Sequence, residues 1–404
     1  IFIVYYICRI AMSALHLDHN LYRPFGKPSY IYSDMNGYGH FLTGVYWFNL
    51  YWALAAVMLA LTAYLFWVRG TEDAFPARRK VARSRFTRPV LLAYGLAGLA
   101  FITCGGWIFY NTNVLNTYMT PKDSERLVVD FEKRYKQYEH MPQPRIVNAF
   151  VEVDIYPEGR DLYIRGRYVL KNKTSRPIDT LFITLPNGVD VRKLAPDRPH
   201  QLAMYDEKQN VRFFRLSTPL APSDSLTLHW DIAYEEKGFT NDMGGTDVVY
   251  NGTFFNNQRF PALGYDARGE MSEPSKRKKY DLPPRQRMAA VNDPVARMKN
   301  YISNDTDWMR FETIVSTSAD QIAVAPGYLQ KEWRKGDRRY FHYKMDSPIL
   351  GFYAFLSARY EVRRAKAGDV NIEIYYQKGH EYNLDKMIKS IQKSLAYYEK
   401  NFSP

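Results

Sequence analysis

Two long runs without a charged residue constrain the fold of this chain more than any other feature. The first covers residues 41–68 and the second covers residues 90–110. At a rise of about 1.5 Å per residue, roughly 20 apolar residues form a helix that crosses the hydrocarbon core of a bilayer. Tryptophans lie towards the ends of the runs, as they do at membrane interfaces: Trp47, Trp52, Trp67 and Trp107. We predict two transmembrane helices, because two such runs are rare in soluble cores.

The distribution of basic residues predicts the side of the membrane on which each segment lies. Residues 69–89, between the two runs, hold seven Lys or Arg, whereas the loop before residue 41 holds only Arg23 and Lys27. The positive-inside rule therefore places 69–89 in the cytoplasm as a basic loop, and residues 111–404 on the opposite side. The opening IFIVYYIC has no Met and no charged n-region, so we expect residues 1–10 to be the end of an earlier, truncated span.

Composition excludes several classes of function. The chain has 404 residues, of which 46% are hydrophobic, so it can bury a core and is not disordered throughout. Its two cysteines are too few for a disulfide scaffold or a four-cysteine zinc site. The net charge of +13 raises nucleic-acid binding as an option. Because much of that charge is the loop beside the membrane, we instead expect the lipid bilayer as partner and no nucleic acid.

An amphipathic helix is predicted within a linker at residues 111–145. Over residues 121–140 the apolar positions recur at steps of three or four, namely Leu127, Val128, Phe131, Tyr135 and Tyr138. Asp123 or Ser124 is the predicted N-cap after Pro121. Glu125 and Glu132 are predicted to lie on the face of the helix that meets solvent.

A series of strands is predicted next, because apolar and polar residues alternate in short segments. These segments are 147–155, 162–170, 181–185, 226–234, 311–317, 321–325, 338–344, 353–360 and 370–377. Such alternation between short turns is typical of antiparallel sheets with one buried face. No long helix interrupts it, as repeated βαβ units would require. We therefore predict membrane α-helices followed by a mainly antiparallel, two-sheet β-sandwich at residues 146–380.

Two further segments complete the predicted organisation. Residues 251–304 contain five prolines and a basic run at 276–279, which we interpret as a long ordered loop whose charges face solvent. The chain closes with an amphipathic helix from its cap Asn383 to Phe402, within the segment 381–404. Because no partner element follows this helix, we expect it to lead into a further domain.

The sequence contains no self-contained catalytic motif. It has no Walker A loop, no G-x-G-x-x-G and no G-x-S-x-G. His380 and Glu381 begin like the zinc motif H-E-x-x-H, but Leu384 occupies the position of the second histidine. His16 and His19 lack a third ligand nearby. We therefore predict no catalytic residue, no bound cofactor and no metal within this chain.

Several stretches, in their order along the chain, resemble a bacterial family. YSDMNGYGH at 32–40 and WFNLYW at 47–52 are similar to the last membrane segments of proteins that join an ABC-2-type permease to an aminopeptidase N-like zinc metallopeptidase. YEHMPQPRIVNAFVEVDIYPEGRDLYIRGRYVLKN at 138–172 resembles the opening strands of that family's N-terminal β-domain. Later stretches resemble later parts of the same domain: ALGYDARGEM at 262–271, RKKYDLPPR at 277–285, TSADQIAVAPGYL at 317–329 and SLAYYEKNFSP at 394–404.

The resemblance implies a saddle-like aminopeptidase N-terminal domain on a bacterial inner-membrane protein, with residues 111–404 in the periplasm. In that family, H-E-x-x-H and a downstream Glu hold zinc in a catalytic domain, which we expect after residue 404. In the same family, a polar residue of the N-terminal β-domain contacts the end of the peptide substrate. The candidates for that contact here are Gln258, or Asn256 and Asn257 beside it.

The implied function is that of a membrane-anchored, non-catalytic part that shapes the peptide cleft and tethers the enzyme. Its expected partners are a peptide substrate, its own downstream catalytic domain and an ABC ATPase subunit. One alternative is an accessory or docking β-domain of an ABC transporter permease without peptidase activity. Another is an adhesive or scaffold sandwich.

Overall fold

The helices divide into an N-terminal group, which includes two long apolar helices, and a group that accompanies the sheets. The computed structural model of the chain describes residues 2–67, 74–286, 288–298, 300 and 302–403. The α-helices are α1 (Phe2–Ala14), α2 (Phe41–Phe66), α3 (Phe75–Arg85), α4 (Arg88–Phe109), α5 (Pro121–Tyr135), α6 (Pro274–Lys279), α7 (Pro294–Arg297) and α8 (Leu384–Asn401). A π-helical segment, Tyr110–Leu115, continues α4. Among the described residues, two helices are long and apolar enough to cross a membrane, at 41–66 and 88–115.

The predicted basic loop contains a helix, α3. Pro76 occupies its first turn, where a missing N–H leaves no hydrogen bond unmade. The guanidinium of Arg85 donates hydrogen bonds to the carbonyl oxygens of Tyr64, at 2.8 Å, and Trp67, at 2.5 Å. These carbonyls belong to the last turn of α2 and the residue after it, where helical acceptors are otherwise unsatisfied. Residues 68–73, which include the predicted end of the first span, lie outside the described residues.

Helix α5 begins before both of the predicted caps. Thr120 is the N-cap, and its hydroxyl oxygen accepts a hydrogen bond from the amide of Asp123 at 3.1 Å. The Asp123 carboxylate accepts from Thr120 in return, which completes a capping box. The prediction of Asp123 or Ser124 as the cap was therefore wrong. Asp123 instead fills the third helical position, where an acidic side chain also interacts favourably with the helix dipole.

The basic run at 276–279 and the carboxylates of α5 do not simply face solvent, which corrects two predictions. Arg277 is 3% exposed and forms a salt bridge of 2.6 Å with Glu132, which is 1% exposed. Glu132 also accepts a hydrogen bond from the amide of Met271. Around this pair, Lys276 and Lys279 lie 3.0 and 3.1 Å from Glu125. Electrostatic contacts thus fasten the segment that contains α6 against α5.

The strands cover more of the chain than the alternation predicted. They are β1 (Arg145–Tyr156), β2 (Asp161–Lys171), β3 (Ile178–Thr184), β4 (Asp190–Pro196), β5 (His200–Asp206), β6 (Val211–Leu220), β7 (Ser225–Tyr234), β8 (Thr253–Asn256), β9 (Ala262–Leu263), β10 (Thr306–Ser318), β11 (Ile322–Val324), β12 (Tyr328–Lys335), β13 (Arg338–Lys344), β14 (Ile349–Leu350), β15 (Ala354–Ala358), β16 (Tyr360–Ala367) and β17 (Val370–Gln377). The predicted strand 353–360 is divided between β15 and β16. The predicted loop at 251–304 contains β8 and β9.

The described strands form four sheets, not the two of the predicted sandwich. The largest has the order β12-β13-β10-β1-β2-β7-β4, with β14 paired to β10. The others have the orders β5-β6-β3-β9, β11-β15-β8 and β16-β17. Among the described pairs, β1 and β10 alone are parallel, and the remaining pairs are antiparallel. The architecture is therefore mixed helix with mainly antiparallel sheets, as the sequence predicted at that level.

The main core lies between the large sheet and the smaller ones. Trp230 on β7 is 2% exposed and stands opposite Gly166 on β2. A Cβ at residue 166 would lie 2.3 Å from the indole ring, so Gly166 is the residue that lets Trp230 lie flat on the sheet. Trp230 also packs against Phe260, whose ring centroid lies 5.5 Å away. This contact links the large sheet to the segment that follows β8.

Hydrogen bonds join the loops of the β-sheets to the segments beside the N-terminal helices. The Asn20 amide donates to the side-chain oxygen of Asn241 at 2.9 Å, and the Asn20 side chain donates to the Asn241 carbonyl at 2.8 Å. The side chain of Asn251 donates to the carbonyl of Met35 at 3.0 Å. From the helical side, Asn116 donates to the carbonyl of Lys237 at 2.7 Å. The contacts fix residues 15–40 between the two parts.

An apolar contact reinforces this junction. Phe239 packs on Phe48 of α2, with ring centroids 6.4 Å apart, and lies beside Gly44 one turn earlier. His19 completes the junction with a hydrogen bond of 3.0 Å to Thr112 of the π-helical segment. Burial lowers the pKa of His19 to about 4, so its ring is neutral at physiological pH. The junction is therefore maintained by neutral groups.

Replacement of Arg277 by Ala tests the fastening of the α6 segment. Removal of one partner of a buried ion pair leaves the other charge uncompensated and costs about 3–5 kcal/mol. We therefore expect the amide hydrogens of residues 271–283 to exchange faster by roughly 100-fold or more. Hydrogen exchange with mass spectrometry measures this change. Lys278→Ala, at an exposed neighbour in α6, is the matched control. Equal protection in the two variants would contradict the role of the pair.

Candidate functional site

The three predicted site residues lie together after β8 but hold different positions. Asn256 caps a short 3-10 turn, since its side-chain oxygen accepts a hydrogen bond from the amide of Gln258 at 2.9 Å. Asn257 donates through its backbone to the carbonyl of Tyr353 at 3.0 Å and through its side chain to the carbonyl of Gly351 at 2.9 Å. Gln258 is exposed. Thus the side chains of Asn256 and Asn257 stabilise the turn, and the side chain of Gln258 is exposed to solvent.

Asn257 and Gln258 line a cavity of about 450 Å³, which we call the β8–β9 cleft. Four chain segments form its walls, namely 257–269, 302–306, 351–353 and 184–186. Phe131 of α5, Ile146 of β1 and Tyr168 of β2 complete the lining. Pockets that hold small molecules usually have volumes of about 300–1,000 Å³ and mix apolar walls with a few polar groups. The cleft has both properties.

Asp305 is the cleft residue with the most perturbed chemistry. It is half-buried immediately before β10, and its carboxylate accepts hydrogen bonds from the amide of Leu263, at 3.1 Å, and from the Ser303 hydroxyl. Burial raises the pKa of Asp305, although both hydrogen bonds oppose that rise. Perturbed acids in clefts are candidates for binding or catalysis. The sequence prediction missed Asp305, because no motif or periodicity distinguishes it from other aspartates in the chain.

The cations around Asp305 are engaged elsewhere. Arg268 donates to both oxygens of Asp266, with distances between 2.6 and 3.0 Å. Arg145 donates to the carbonyl oxygen of Asn304. Each guanidinium affects the Asp305 carboxylate through space, but neither lies within salt-bridge distance of it. No described cationic side chain therefore pairs directly with the Asp305 carboxyl group.

Two further polar groups line the cleft. The hydroxyls of Tyr168 and Tyr353 lie 3.0 Å apart in a buried pair, and burial raises the pKa of both phenols. Thr306 is 2% exposed, and its side-chain oxygen has no hydrogen-bond partner. A buried hydroxyl without a partner costs free energy that a bound ligand recovers. The lining of the cleft thus includes one buried hydroxyl group, that of Thr306, without a hydrogen-bond partner.

The histidines considered as metal ligands are engaged in other contacts. His19 bonds to Thr112, as described above, and His380 lies 3.1 Å from the Tyr382 hydroxyl. Throughout the part of the chain that the structure describes, no group of three or more His, Cys, Asp or Glu side chains is placed to hold a metal ion. The cleft therefore offers polar and electrostatic binding of a ligand without a metal centre among those residues.

Comparisons with known proteins give limited likenesses. No protein-family model matches the chain, and no curated protein matches its sequence. A mutant M1 zinc metallopeptidase from Deinococcus radiodurans is 13% identical, with a TM-score of 0.40, over 65% of this chain and 54% of that one. The M1 zinc metallopeptidase from the same organism is 12% identical, with a TM-score of 0.40, over 64% of this chain and 56% of that one. The matched region spans about half the length of these structures, and a likeness this distant assigns no activity.

Proposed function

We propose that this chain is the membrane-anchored, non-catalytic N-terminal part of an aminopeptidase N-like zinc metallopeptidase fused to an ABC-2-type permease. The observation that carries the proposal is the β8–β9 cleft, a ligand-sized cavity with polar groups on a β-domain that bonds to the loop at 15–40 and packs on the apolar helix α2 through Phe239. A cleft in that position suits a domain that forms one wall of a peptide site at a set height above a bilayer. The resemblance of the sequence stretches supports the same family.

Within this function, Gln258 contacts the end of the peptide substrate. Its side chain is exposed at the cleft, whereas the Asn256 and Asn257 side chains hold the turn that presents it. In this proposal, zinc is held by a catalytic domain that follows the β-domain. That domain would hydrolyse the N-terminal residue of the peptide, and the present chain would bind and orient it.

The gene that encodes this chain tests the main proposal. We expect codons after residue 404 to encode H-E-x-x-H and a further Glu, and the complete protein to cleave aminoacyl amide reporters in a zinc-dependent manner. Residues 1–404 alone should show no such cleavage. A different downstream domain, or cleavage by residues 1–404 alone, overturns the proposal.

Substitution of Gln258 in the complete enzyme tests its role in binding. Loss of one peptide hydrogen bond costs about 1 kcal/mol, so we expect Gln258→Ala to raise KM by roughly fivefold with kcat nearly unchanged. Steady-state kinetics on short peptides measures both constants. Gln330→Ala serves as the control, because Gln330 is exposed on β12 and bonds only to the carbonyl of its neighbour Tyr328 among described groups. An unchanged KM in Gln258→Ala would show that the residue does not touch the peptide.

We infer that α2 and the helix at 88–115 cross a bacterial inner membrane, with residues 111–404 in the periplasm. The positive-inside rule supports this orientation, because α3 and the first residue of α4 carry six Lys or Arg and no acidic residue. Exposed aromatic side chains flank α3 on both sides, at Trp67, Phe75 and Phe86. Such residues suit the headgroup region of a membrane.

Site-specific labelling tests this orientation. In a chain with Cys8→Ala and Cys104→Ala, we introduce either Ser84→Cys in α3 or Ser394→Cys in α8, both at exposed positions. A membrane-impermeant maleimide should label residue 394 and not residue 84 in right-side-out vesicles. Inverted vesicles should give the opposite pattern. The reverse result in both preparations would contradict the proposed sidedness.

The alternative function is an accessory or docking β-domain of an ABC transporter permease without peptidase activity. The observation that favours it is the rigid placement of α3, whose Arg85 is fastened to the end of α2. A basic helix held there would face an ABC ATPase subunit in the cytoplasm. Co-purification of an ATPase with the complete protein, together with a downstream sequence that lacks H-E-x-x-H, would favour this alternative.

A further inference from the structure

The β8–β9 cleft has an excess of negative charge. Its charged lining residues are Asp266, Arg268 and Asp305. Asp266 and Arg268 neutralise each other through the contacts described above. Asp305, when ionised, therefore adds one negative charge to the lining of the cavity, and the nearby Arg145 donates to a backbone carbonyl. Charge complementarity calls for a cationic ligand.

A half-buried carboxylate without an ionic partner is costly, because the protein replaces only part of its hydration. The two hydrogen bonds from Leu263 and Ser303 recover some of that cost and hold the carboxylate in place. A cation that enters the cleft recovers more. We propose that the β8–β9 cleft is a binding site for a small organic ammonium ion, with the Asp305 carboxylate as its counter-charge.

The cleft provides the hydrogen-bond acceptors that an ammonium group requires. A primary ammonium has three N–H donors and no acceptor. Beside Asp305, Thr306 lines the cleft with a buried, unpartnered hydroxyl, and rotation about its χ1 bond would turn that oxygen towards the ammonium as a second acceptor. The Asn257 side chain uses its N–H on Gly351, which leaves its amide oxygen as a third.

The walls and volume of the cleft select an organic cation. Phe260, Phe352 and Tyr168 line it with aromatic rings, and Ile302 adds an aliphatic contact. Aromatic rings attract cations and pack against apolar substituents. A volume of about 450 Å³ exceeds the needs of a bare metal ion or ammonium. The site extends the proposed function without depending on it, because binding requires only residues 1–404.

Calorimetric titration of residues 1–404 in detergent micelles tests the site. The probes are benzylamine and benzyl alcohol, which have similar shapes but differ in charge. Since hydrogen bonds to charged groups contribute about 1.5–3 kcal/mol, we expect benzylamine to bind roughly 10- to 100-fold more tightly than benzyl alcohol. Asp305→Asn should remove that difference. Asp307→Asn, at a surface residue paired with Lys173, should leave it unchanged.

The pH profile of the unsubstituted chain tests the same charge independently of any folding defect in the variants. Benzylamine affinity should rise as pH increases through the raised pKa of Asp305 and then stay level up to the pKa of the amine. Asp266, Arg268, Arg145 and the two tyrosines also face Asp305, and burial raises the pKa of both phenols, so the tyrosines stay neutral while the carboxyl group titrates. Thr306→Val should weaken benzylamine by about tenfold, as expected for one lost acceptor.

Two outcomes overturn the proposal: equal affinity for the amine and the alcohol, or unaltered amine affinity in a folded Asp305→Asn variant. A third arm distinguishes the source of the ammonium group. If a free-amine tripeptide binds and its N-acetyl form does not, the ligand class includes peptide N-termini. If neither binds while benzylamine does, the cleft is specific for smaller amines. In either case the result is separate from the presence or absence of a downstream zinc domain.

Discussion

The parallel ladder between β1 and β10 is the constraint on which the rest of the β-domain depends. Parallel neighbours cannot be joined by a hairpin, so the chain must travel from one end of the ladder back to the other. Between Tyr156 and Thr306 it forms strands β2 to β9, the junction with the helices and the segment that packs on α5. The ladder brings the end of this stretch back to β1, because the backbone amide of Ile146 donates to the carbonyl of Asp305 where β10 begins.

The cleft is a consequence of that return. Asp305 precedes β10, Leu263 belongs to the short strand β9, and Asn257 follows β8, yet all three meet at one cavity. Hydrogen bonds hold these segments together: the Leu263 amide donates to the Asp305 carboxylate, and the Asn257 amide donates to the Tyr353 carbonyl. A binding surface here is therefore a by-product of closing the ladder with ordered loops.

Buried charge has a second, structural use in the segment after the cleft. Glu132 and Arg277 are almost fully buried, and each also bonds to backbone groups of residues 271–283. A buried pair of this kind is maintained only when its remaining donors and acceptors are satisfied. Here they are satisfied by the segment itself, which explains how a proline-rich stretch with little regular structure is ordered against α5. The cleft wall at 264–269 adjoins this anchor.

The sequence predictions succeeded where the signal is local in the chain and failed where it depends on residues far apart in the sequence. The apolar runs of α2 and α4, the amphipathic patterns of α5 and α8, and the alternation of β1, β2 and β7 are local signals, and the structure confirms elements at all of these places. Strands β5 and β12 were missed because both of their faces are largely exposed, so no apolar face marks them. The solvent-facing prediction for Glu132 was wrong because helical periodicity cannot report a partner 145 residues away.

The sequence by itself determined that two helices are long and apolar enough for a membrane and that a mainly antiparallel β-domain follows them. Both follow from the spacing of apolar residues, which can be read within a single segment of the chain without knowledge of its tertiary contacts. Only the tertiary structure decided that β1 and β10 run parallel, that Arg277 is buried, and that Asp305 faces Asn257 across a cavity. Those features join residues more than 45 positions apart, and their free energy arises from desolvation and charge pairing that exist only after the chain has folded.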